Sequence, residues 1–324
     1  MRVLVVGGAG YIGSHMCKLL AEFGHEVVVC DNLSTGHQEA VRWGQLIHCQ
    51  LSDTVALTRL FSRSSFDAVM HFAASSIVSD SLTDPLRYYR NNVSDTICLL
   101  QAMNEHGIDK FVFSSTAAVY GQPKQDVIDE THICLPITPY GKSKLFVEQI
   151  LNDLTHAHRL RAVSLRYFNA AGADFGGEIG ESHDPETHLI PRVLRMAAGD
   201  PIKFGIFGTD YATPDGTCIR DFVHVNDLCA AHLRALEFLG RHSGFHAFNL
   251  GNGRGYSVRQ IVSAAEEVLG RKLNIPEYDR RSGDPSILVA SSEKAQSGLD
   301  WVPQYPDIRQ IIESAWKWHS HPQF

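Results

Sequence analysis

The sequence predicts an α/β protein: a doubly wound parallel sheet followed by a smaller α/β domain at the C-terminal end. Two patterns predict this fold. Up to residue 168, short apolar β-branched runs alternate with helical patterns, as in parallel strands joined by helical crossovers. Beyond that point the alternation breaks into loops rich in glycine and aspartate. We therefore expect a boundary near residue 176, with domains at 1–176 and 177–324.

The alternation also predicts the order of the elements. Strands are expected at 1–6, 26–30, 45–48, 68–71, 110–114 and 162–168. Helices are expected at 12–22, 55–63, 86–105 and 140–151. A ligand crevice should lie between the two domains, at the carboxyl ends of the parallel strands.

The first expected strand runs directly into a glycine-rich turn at residues 7–13. Its glycines fit both the G-x-G-x-x-G spacing and, through Gly7, Gly10 and Gly13, a three-residue spacing. Missing side chains let the backbone approach a pyrophosphate at the N-terminus of the next helix. Asp31 ends the second strand, where an acid accepts hydrogen bonds from an adenosine ribose and repels a 2′-phosphate. The pattern therefore predicts a Rossmann site that prefers NAD to NADP.

A second motif places a tyrosine and a lysine four residues apart, at Tyr140 and Lys144. On a helix these side chains lie one turn apart on the same face. Thr138 can cap this helix and Pro139 suits its first position, which puts Tyr140 in the first turn. The helix N-terminus and Lys144 are both expected to lower the pKa of the phenol. Tyr140 could then accept a proton from a sugar hydroxyl near neutral pH.

Composition excludes several classes of function. The formal net charge of −7 argues against general nucleic-acid binding, and no segment is apolar enough to span a membrane. The seven cysteines are scattered without a C-x-x-C pair, which favours reduced thiols and a cytoplasmic protein. The 17 histidines form no spacing typical of metal ligands, so no metal is expected.

Further blocks continue the two motifs through nearly the whole chain. They lie at 7–15, 31–33, 71–74, 88–93, 114–121, 140–144, 165–169, 206–208, 215–217, 220–225, 249–251 and 280–284. With these blocks the chain resembles the extended short-chain dehydrogenase/reductase family. Tyr-Gly-Lys-Ser-Lys at 140–144, Arg-Tyr-Phe-Asn at 166–169 and Arg-Asp-Phe-Val-His-Val at 220–225 resemble its epimerase branch. The resemblance implies NAD-dependent interconversion of UDP-galactose and UDP-glucose through a 4-keto sugar.

The resemblance also implies a role for each matching residue. Tyr140 would be the base, Lys144 would hold the nicotinamide ribose, and Thr116 would hydrogen-bond the sugar O4. Cofactor contacts are expected from Gly7, Gly10, Tyr11, Ile12, Gly13, Asp31, Asn32, Gln50, Leu51, Phe72, Ala73, Ala74, Asn91, Tyr140, Lys144 and Phe168. Substrate contacts are expected from Thr116, Tyr140, Asn169, Leu189, Phe207 (uracil), Arg220 and Arg281 (diphosphate) and Asp284 (uridine ribose).

Some positions depart from the family pattern. Gln50 stands where an aspartate usually meets the adenine amino group. A glutamine carbonyl can accept that bond without charge, so weaker cofactor affinity is expected. Ser76 replaces a lysine near the phosphates, Val6 replaces a threonine, and Thr116 replaces a serine. Leu288, where the family resemblance implies that side-chain size limits the sugar's 2′ substituent, leaves N-acetylated substrates undecided. The sequence also leaves pentose and uronic acid derivatives undecided.

Several residues also have structural interpretations. Arg220 could pair with an acid, Asp284 could be a turn residue, and Thr116 could cap a turn. The aromatic rings of Phe72 and Phe207 could simply belong to the core.

Two other functions fit the fold. A nucleotide-sugar dehydratase would need an acid pair after Thr116, where the chain has Ala117 and Ala118. A cofactor-binding sensor would typically have lost the Tyr140 and Lys144 pair. The helices at 86–105 and 140–151 carry more apolar residues than one buried face needs. Burial within the subunit would explain them, but the family packs these helices across a two-fold axis, and a homodimer is expected.

Overall fold

The computed structural model describes residues 1–280 and 285–324. Within these ranges the strands, in chain order, are β1 (Arg2–Val6), β2 (Glu26–Asp31), β3 (Gln45–His48), β4 (Ala68–His71), β5 (Lys110–Thr116), β6 (Val127–Ile128), β7 (Arg161–Tyr167), β8 (Asn169–Ala171), β9 (Ile206–Phe207), β10 (Ile219–His224), β11 (Gly244–Leu250), β12 (Gly255–Ser257), β13 (Glu277–Tyr278) and β14 (Ile287–Ala290).

The helices of the same ranges are α1 (Tyr11–Glu22), α2 (Thr54–Arg63), α3 (Val78–Thr83), α4 (Pro85–Tyr89), α5 (Asp95–Glu105), α6 (Pro139–Ala157), α7 (Leu189–Ala198), α8 (Val225–Leu239), α9 (Val258–Leu269), α10 (Glu293–Leu299) and α11 (Ile308–Ser320). No helix of the described chain is both long and apolar enough to cross a bilayer.

The main sheet has seven parallel strands in the order β11-β7-β5-β4-β1-β2-β3. Side chains alternate between the two faces along each strand, and helices cover both faces, so the centre of the sheet is buried on both sides. Val3 and Val5 of β1 pack with α1 and α8 on one face. Leu4 and Val6 pack with α2, α5 and α6 on the other face. Helices on both sides of a parallel sheet confirm the predicted doubly wound fold.

The expected helix at 86–105 contains an interruption. Between α4 and α5, residues Arg90–Ser94 form a π-helical turn. Wide turns of this kind are common at functional sites. Here the turn carries Asn91, which lines the main cavity, and Asn92, whose side chain bonds to both backbone groups of Ser75. The sequence pattern gave no sign of it, because the apolar spacing continues through the turn.

The rest of the chain forms a smaller unit. Strands β12, β10, β14 and β6 form a second sheet, which β8 extends through β10. Helices α7, α9 and α11 pack into its apolar core. The boundary at residue 176 stays a prediction, but it does not divide the sheets cleanly. Both α8 and β11 come from beyond it and pack with the first sheet.

Candidate active site

A cavity of about 620 Å³ lies at the carboxyl ends of the parallel strands. Its lining includes residues that directly follow or end strands: Gly7 after β1, Asp31 at the end of β2, Phe72 after β4, Thr116 at the end of β5 and Phe168 after β7. Parallel strands bring these chain positions to one edge of the sheet. All sixteen positions predicted to contact the cofactor line this cavity, together with Thr116 and Asn169.

The glycine turn packs too closely for side chains. Gly7 has φ +81°, and a Cβ there would lie 2.5 Å from the Ala73 nitrogen. A Cβ on Gly13 would lie 2.1 Å from the Gly7 oxygen. Helix α1 then begins at Tyr11 with no side chain capping its N-terminus. Its first N–H groups and positive dipole end are therefore suited to a pyrophosphate.

Asp31 holds this turn against the end of β2. Its carboxylate accepts hydrogen bonds from the Ala9 nitrogen (2.9 Å) and the Leu33 nitrogen (2.8 Å). The side chain is buried but lines the cavity, and a carboxylate has further lone pairs beyond these two bonds. The chain's own residues thus fit an adenosine ribose and diphosphate at this end.

At the other end, the start of α6 brings the tyrosine and lysine to the cavity. The Thr138 hydroxyl accepts a hydrogen bond from the Gly141 nitrogen (3.2 Å), and Pro139 is the first helical residue, both as predicted. A Cβ on Gly141 would lie 2.5 Å from the Ala118 oxygen, so the helix lies close to the end of β5. This approach brings the Thr116 hydroxyl close enough to the Tyr140 hydroxyl to favour a lower pKa of the phenol.

Lys144 is buried one turn further along α6. Its Nζ donates to the Ser114 carbonyl (2.8 Å) and lies 4.8 Å from the centre of the Phe113 ring. Burial lowers the pKa of the Lys144 amine to about 7, although Glu148 raises it in part. The amine is therefore close to half protonated at neutral pH.

The expected lowering of the Tyr140 pKa is wrong for this arrangement. Burial raises the pKa of the phenol, and only the hydrogen bond with Thr116 lowers it. Desolvation disfavours the phenolate more than the neighbouring groups favour it. Lys144 contributes no lowering here, because its amine is directed to the backbone of β5.

A buried network that sequence reasoning missed supports this helix. Glu148 of α6 pairs with Arg166 of β7, with Nη2 and Oε2 2.5 Å apart. Ser115 donates to the same carboxylate at 2.5 Å, and Arg166 donates to the Tyr120 hydroxyl at 2.9 Å. Glu148 follows Lys144 by four residues, so helical periodicity could have placed it on the same face.

Three other predicted substrate residues, Leu189, Phe207 and Arg220, are not among the described residues that line the cavity. Leu189 begins α7, and Phe207 of β9 stacks on Tyr278 with ring centres 5.3 Å apart. Arg220 of β10 is in register with Leu288 of β14, which does line the cavity. Arg281 and Asp284 lie outside the described residues.

Asn169 stands apart from this group because it lines the cavity. Its side chain donates to the Asp221 carbonyl at 2.7 Å.

A cluster of four side chains was also missed. Glu181, His183, Glu186 and His188 place one potential metal ligand each within 4.8 Å of the others. His188 Nδ1 lies 2.7 Å from Glu181 and 3.0 Å from Glu186. Glu181 and Glu186 raise the pKa of His188, and the histidines lower the pKa of Glu181 to about 2. Burial alone would shift both pKa values in the opposite direction. Mutual ion pairs therefore account for this cluster beside the cavity.

Comparison with known proteins agrees with this geometry. Residues 3–251 match the NAD dependent epimerase/dehydratase family. The UDP-glucose 4-epimerase of Lacticaseibacillus casei is 50% identical over 325 residues, covering 100% of this chain and 98% of that protein.

Two solved structures are also similar along almost the whole chain. UDP-glucose 4-epimerase from Brucella ovis in complex with NAD gives a TM-score of 0.95 at 48% identity, covering 97% of each chain. The enzyme from Bifidobacterium longum in complex with NAD⁺ and UDP gives 0.94 at 34% identity, covering 99% of each.

The chain therefore belongs to the NAD dependent epimerase/dehydratase family. The relatives described above are, more narrowly, all UDP-glucose 4-epimerases. The predictions of an NAD-dependent epimerase and of its fold are thus confirmed. The roles of individual residues stay predictions.

Proposed function

We propose that the chain interconverts UDP-galactose and UDP-glucose by inverting C4 of the hexose, with NAD held in the cavity. The observation that carries the proposal is the position of Tyr140 and Lys144. Both line the same cavity as the glycine turn, Asp31 and Thr116.

The two ends of the cavity would divide the cofactor. Gly7, Gly10 and the start of α1 suit the diphosphate, and Asp31 suits the adenosine ribose. Lys144, with Nζ beside the Ser114 carbonyl, suits the hydroxyls of the second ribose. When bound, NAD supplies a nicotinamide that accepts and returns a hydride and whose positive charge lowers the pKa of a nearby phenol.

The chain's own residues move the proton. Once ionised, the Tyr140 phenolate would accept the proton of the sugar 4-hydroxyl, and the resulting phenol would later return it. The Thr116 hydroxyl would donate a hydrogen bond to the sugar O4 and so keep that oxygen aligned with the Tyr140 phenol. General acid–base catalysis of this kind is efficient only when the reacting atoms are held in position, and the Glu148–Arg166 network supplies that rigidity.

Inversion requires the 4-keto sugar to present its other face. We therefore expect firm binding of the UDP part and loose binding of the hexose. Arg220 would contact the diphosphate through charge-assisted hydrogen bonds, and Phe207 would stack on uracil. Arg281, Asp284, Leu189 and Asn169 complete the proposed substrate contacts.

The test is turnover without added cofactor. The purified full chain is mixed with UDP-galactose, and the products are separated. UDP-glucose supports the proposal. Loss of water would indicate the dehydratase, and recovery of unchanged substrate would indicate a cofactor-binding sensor. A panel of UDP-linked N-acetylhexosamine, pentose and uronic acid sugars then measures the specificity around Leu288.

We also propose a homodimer built on α3–α6. Large apolar side chains on these helices are exposed, including Leu82, Leu86, Ile97 and Phe146. The rings of Tyr89 and Phe146 lie 5.9 Å apart, so α4 and α6 contribute to one surface. A contiguous apolar surface favours burial against a second copy.

A cytoplasmic location completes the proposal. The described residues form no disulfide, which suits a reducing compartment.

A further inference from the structure

The lining of the cavity includes, besides Asp31, the apolar side chains of Leu51 and Ile77 and the polar side chains of Gln50 and Asp95. We refer to these last four residues as the slot. In a Rossmann site the adenine lies next to the acid that binds its ribose. Apolar walls with a polar end are what a purine ring with one hydrogen-bonding edge requires.

Gln50 is already engaged in this slot. Its Oε1 accepts a hydrogen bond from Asn32 Nδ2 at 2.6 Å, and its Nε2 donates to Asp95 Oδ2 at 3.2 Å. The Gln50 carbonyl thus faces Asn32, and the Gln50 amide nitrogen faces Asp95 at the start of α5. The glutamine carbonyl is therefore less available to an adenine amino group than the sequence suggested.

Asp95 is buried, with 5% of its surface exposed, at the start of α5. Within the described chain, Gln50 is the one donor that reaches its side chain. A carboxylate can accept about four hydrogen bonds, and burying it with one is costly. Burial indeed raises the pKa of Asp95, against the effects of Gln50 and Arg90. The Asp95 carboxylate therefore has acceptor capacity that no group of the described residues uses, and Asp95 lines the cavity.

We propose that Asp95 accepts the adenine 6-amino group and selects adenine at this site. The inference rests on the proposed NAD-binding function. Gln50 holds Asp95 in place, and the negative charge comes from helix α5 across the slot instead of from position 50. The expected loss of cofactor affinity at Gln50 would then not occur.

The test uses a dinucleotide that differs at one group. Nicotinamide hypoxanthine dinucleotide has a carbonyl in place of the 6-amino group, so its position 6 cannot donate to Asp95 and its carbonyl oxygen would face the carboxylate charge. The full chain is equilibrated with an equimolar excess of this analogue and NAD, and the retained dinucleotides are quantified. Wild-type protein should prefer NAD by about tenfold to a hundredfold, as expected for a hydrogen bond to a charged group.

In Asp95→Asn the preference should fall to within about threefold, because an amide can satisfy either partner. The double variant Gln50→Asp with Asp95→Asn returns a carboxylate to the opposite wall and should restore the preference for NAD. Glu105→Gln, at the exposed end of the same helix, should behave as wild type.

Three results would overturn the assignment. These are a wild-type protein that retains both dinucleotides equally, an Asp95→Asn protein with the wild-type ratio, and a double variant that fails to recover it. A structural role alone would weaken retention of both dinucleotides without changing their ratio. The wild-type ratio needs no variant, so it decides even if Asp95→Asn does not fold. Turnover of UDP-galactose with NAD reports separately on the proposed function.

Discussion

At the scale of single residues, burial governs the protonation of the proposed catalytic pair. Lys144 and Tyr140 are one turn apart, yet each is shifted toward its neutral form. Desolvation acts on both, and the attraction of Glu148 offsets it only in part for Lys144. The chain alone thus holds a neutral phenol beside an amine that is only partly protonated, and the charge that ionises the phenol must arrive with the ligands.

Replacing Tyr140 by phenylalanine removes the proposed proton acceptor and little volume. We expect kcat to fall by about 10²–10⁴-fold, the usual contribution of a general base. The amount of NAD retained per chain should not change. Tyr305→Phe, which alters a phenol away from the cavity lining, is the matched control. Near-normal turnover by Tyr140→Phe would exclude this residue as the base.

Replacing Lys144 by methionine should stabilise the cofactor-free protein at neutral pH. The pKa of this amine is about 7 when folded and ordinarily 10.5. Between these values the unfolded chain binds more protons, so wild-type stability rises with pH from 7 to 10.5. The cost of burying the charge is present in full below pH 7.

Chemical denaturation at several pH values measures this effect. The free energy of unfolding of Lys144→Met should exceed that of wild type by about 1–2 kcal/mol at pH 7, with loss of activity. The difference should shrink toward pH 10. Lys142→Met, at an exposed position of the same helix, should show no such trend. A difference that is independent of pH would contradict the assignment.

At the scale of elements, α6 both presents the reactive side chains and anchors them. Thr138 and Pro139 start the helix, and both could be predicted from the sequence because helix capping depends on neighbouring residues. The partner of Glu148 could not be predicted from the sequence, since Arg166 comes from a strand 18 residues further along the chain. Only the packing of α6 on β7 brings the two together.

Breaking this buried pair should destabilise the protein strongly. Glu148→Gln leaves the Arg166 guanidinium buried without its counter-charge, so we expect a loss of about 3–5 kcal/mol in the free energy of unfolding. Urea denaturation measures it. Glu267→Gln removes the partner of the exposed Arg309 and should cost less than about 1 kcal/mol. Equal losses of stability in the two variants would contradict the expectation that the buried pair contributes more than the exposed one.

At the scale of the whole molecule, the open question is what covers the apolar surface of α3–α6. Leu86 is 74% exposed, and other large apolar side chains on these helices are exposed as well. Such grouping of exposed apolar residues is unusual for a monomer. If a second copy covers this surface, the particle in solution has twice the chain mass of 35.9 kDa.

A charge on this surface should separate the copies. Sedimentation of Leu86→Glu should give a monomer at concentrations where wild type is a dimer, because an unpaired charge would be buried in the interface. Val302→Glu places the same charge on another exposed apolar residue and should remain dimeric. A wild-type monomer, or a dimeric Leu86→Glu protein, would mean that another surface or no surface is used.

The sequence by itself determined whatever depends on local spacing. The bounds of β3 and β4, the glycine turn and the start of α6 follow from apolar runs, missing side chains and capping residues close together in the chain. Spacing also identified the glycine turn, Asp31, Tyr140 and Lys144, and the resemblance to the family supplied the other predicted residues that line the cavity. Parallel strands bring them together because these strands end at one edge of the sheet.

Only the tertiary structure decided the charge states and the contacts between distant segments. Burial, not the neighbouring lysine, sets the pKa of Tyr140. The return of β11 to the first sheet and the approach of Asp95 to Gln50 join residues far apart in sequence. The π-helical turn is local, but its Asn92 bonds to the backbone of Ser75, 17 residues earlier. Desolvation and long-range contacts depend on the whole packed chain, and no local pattern of residues encodes them.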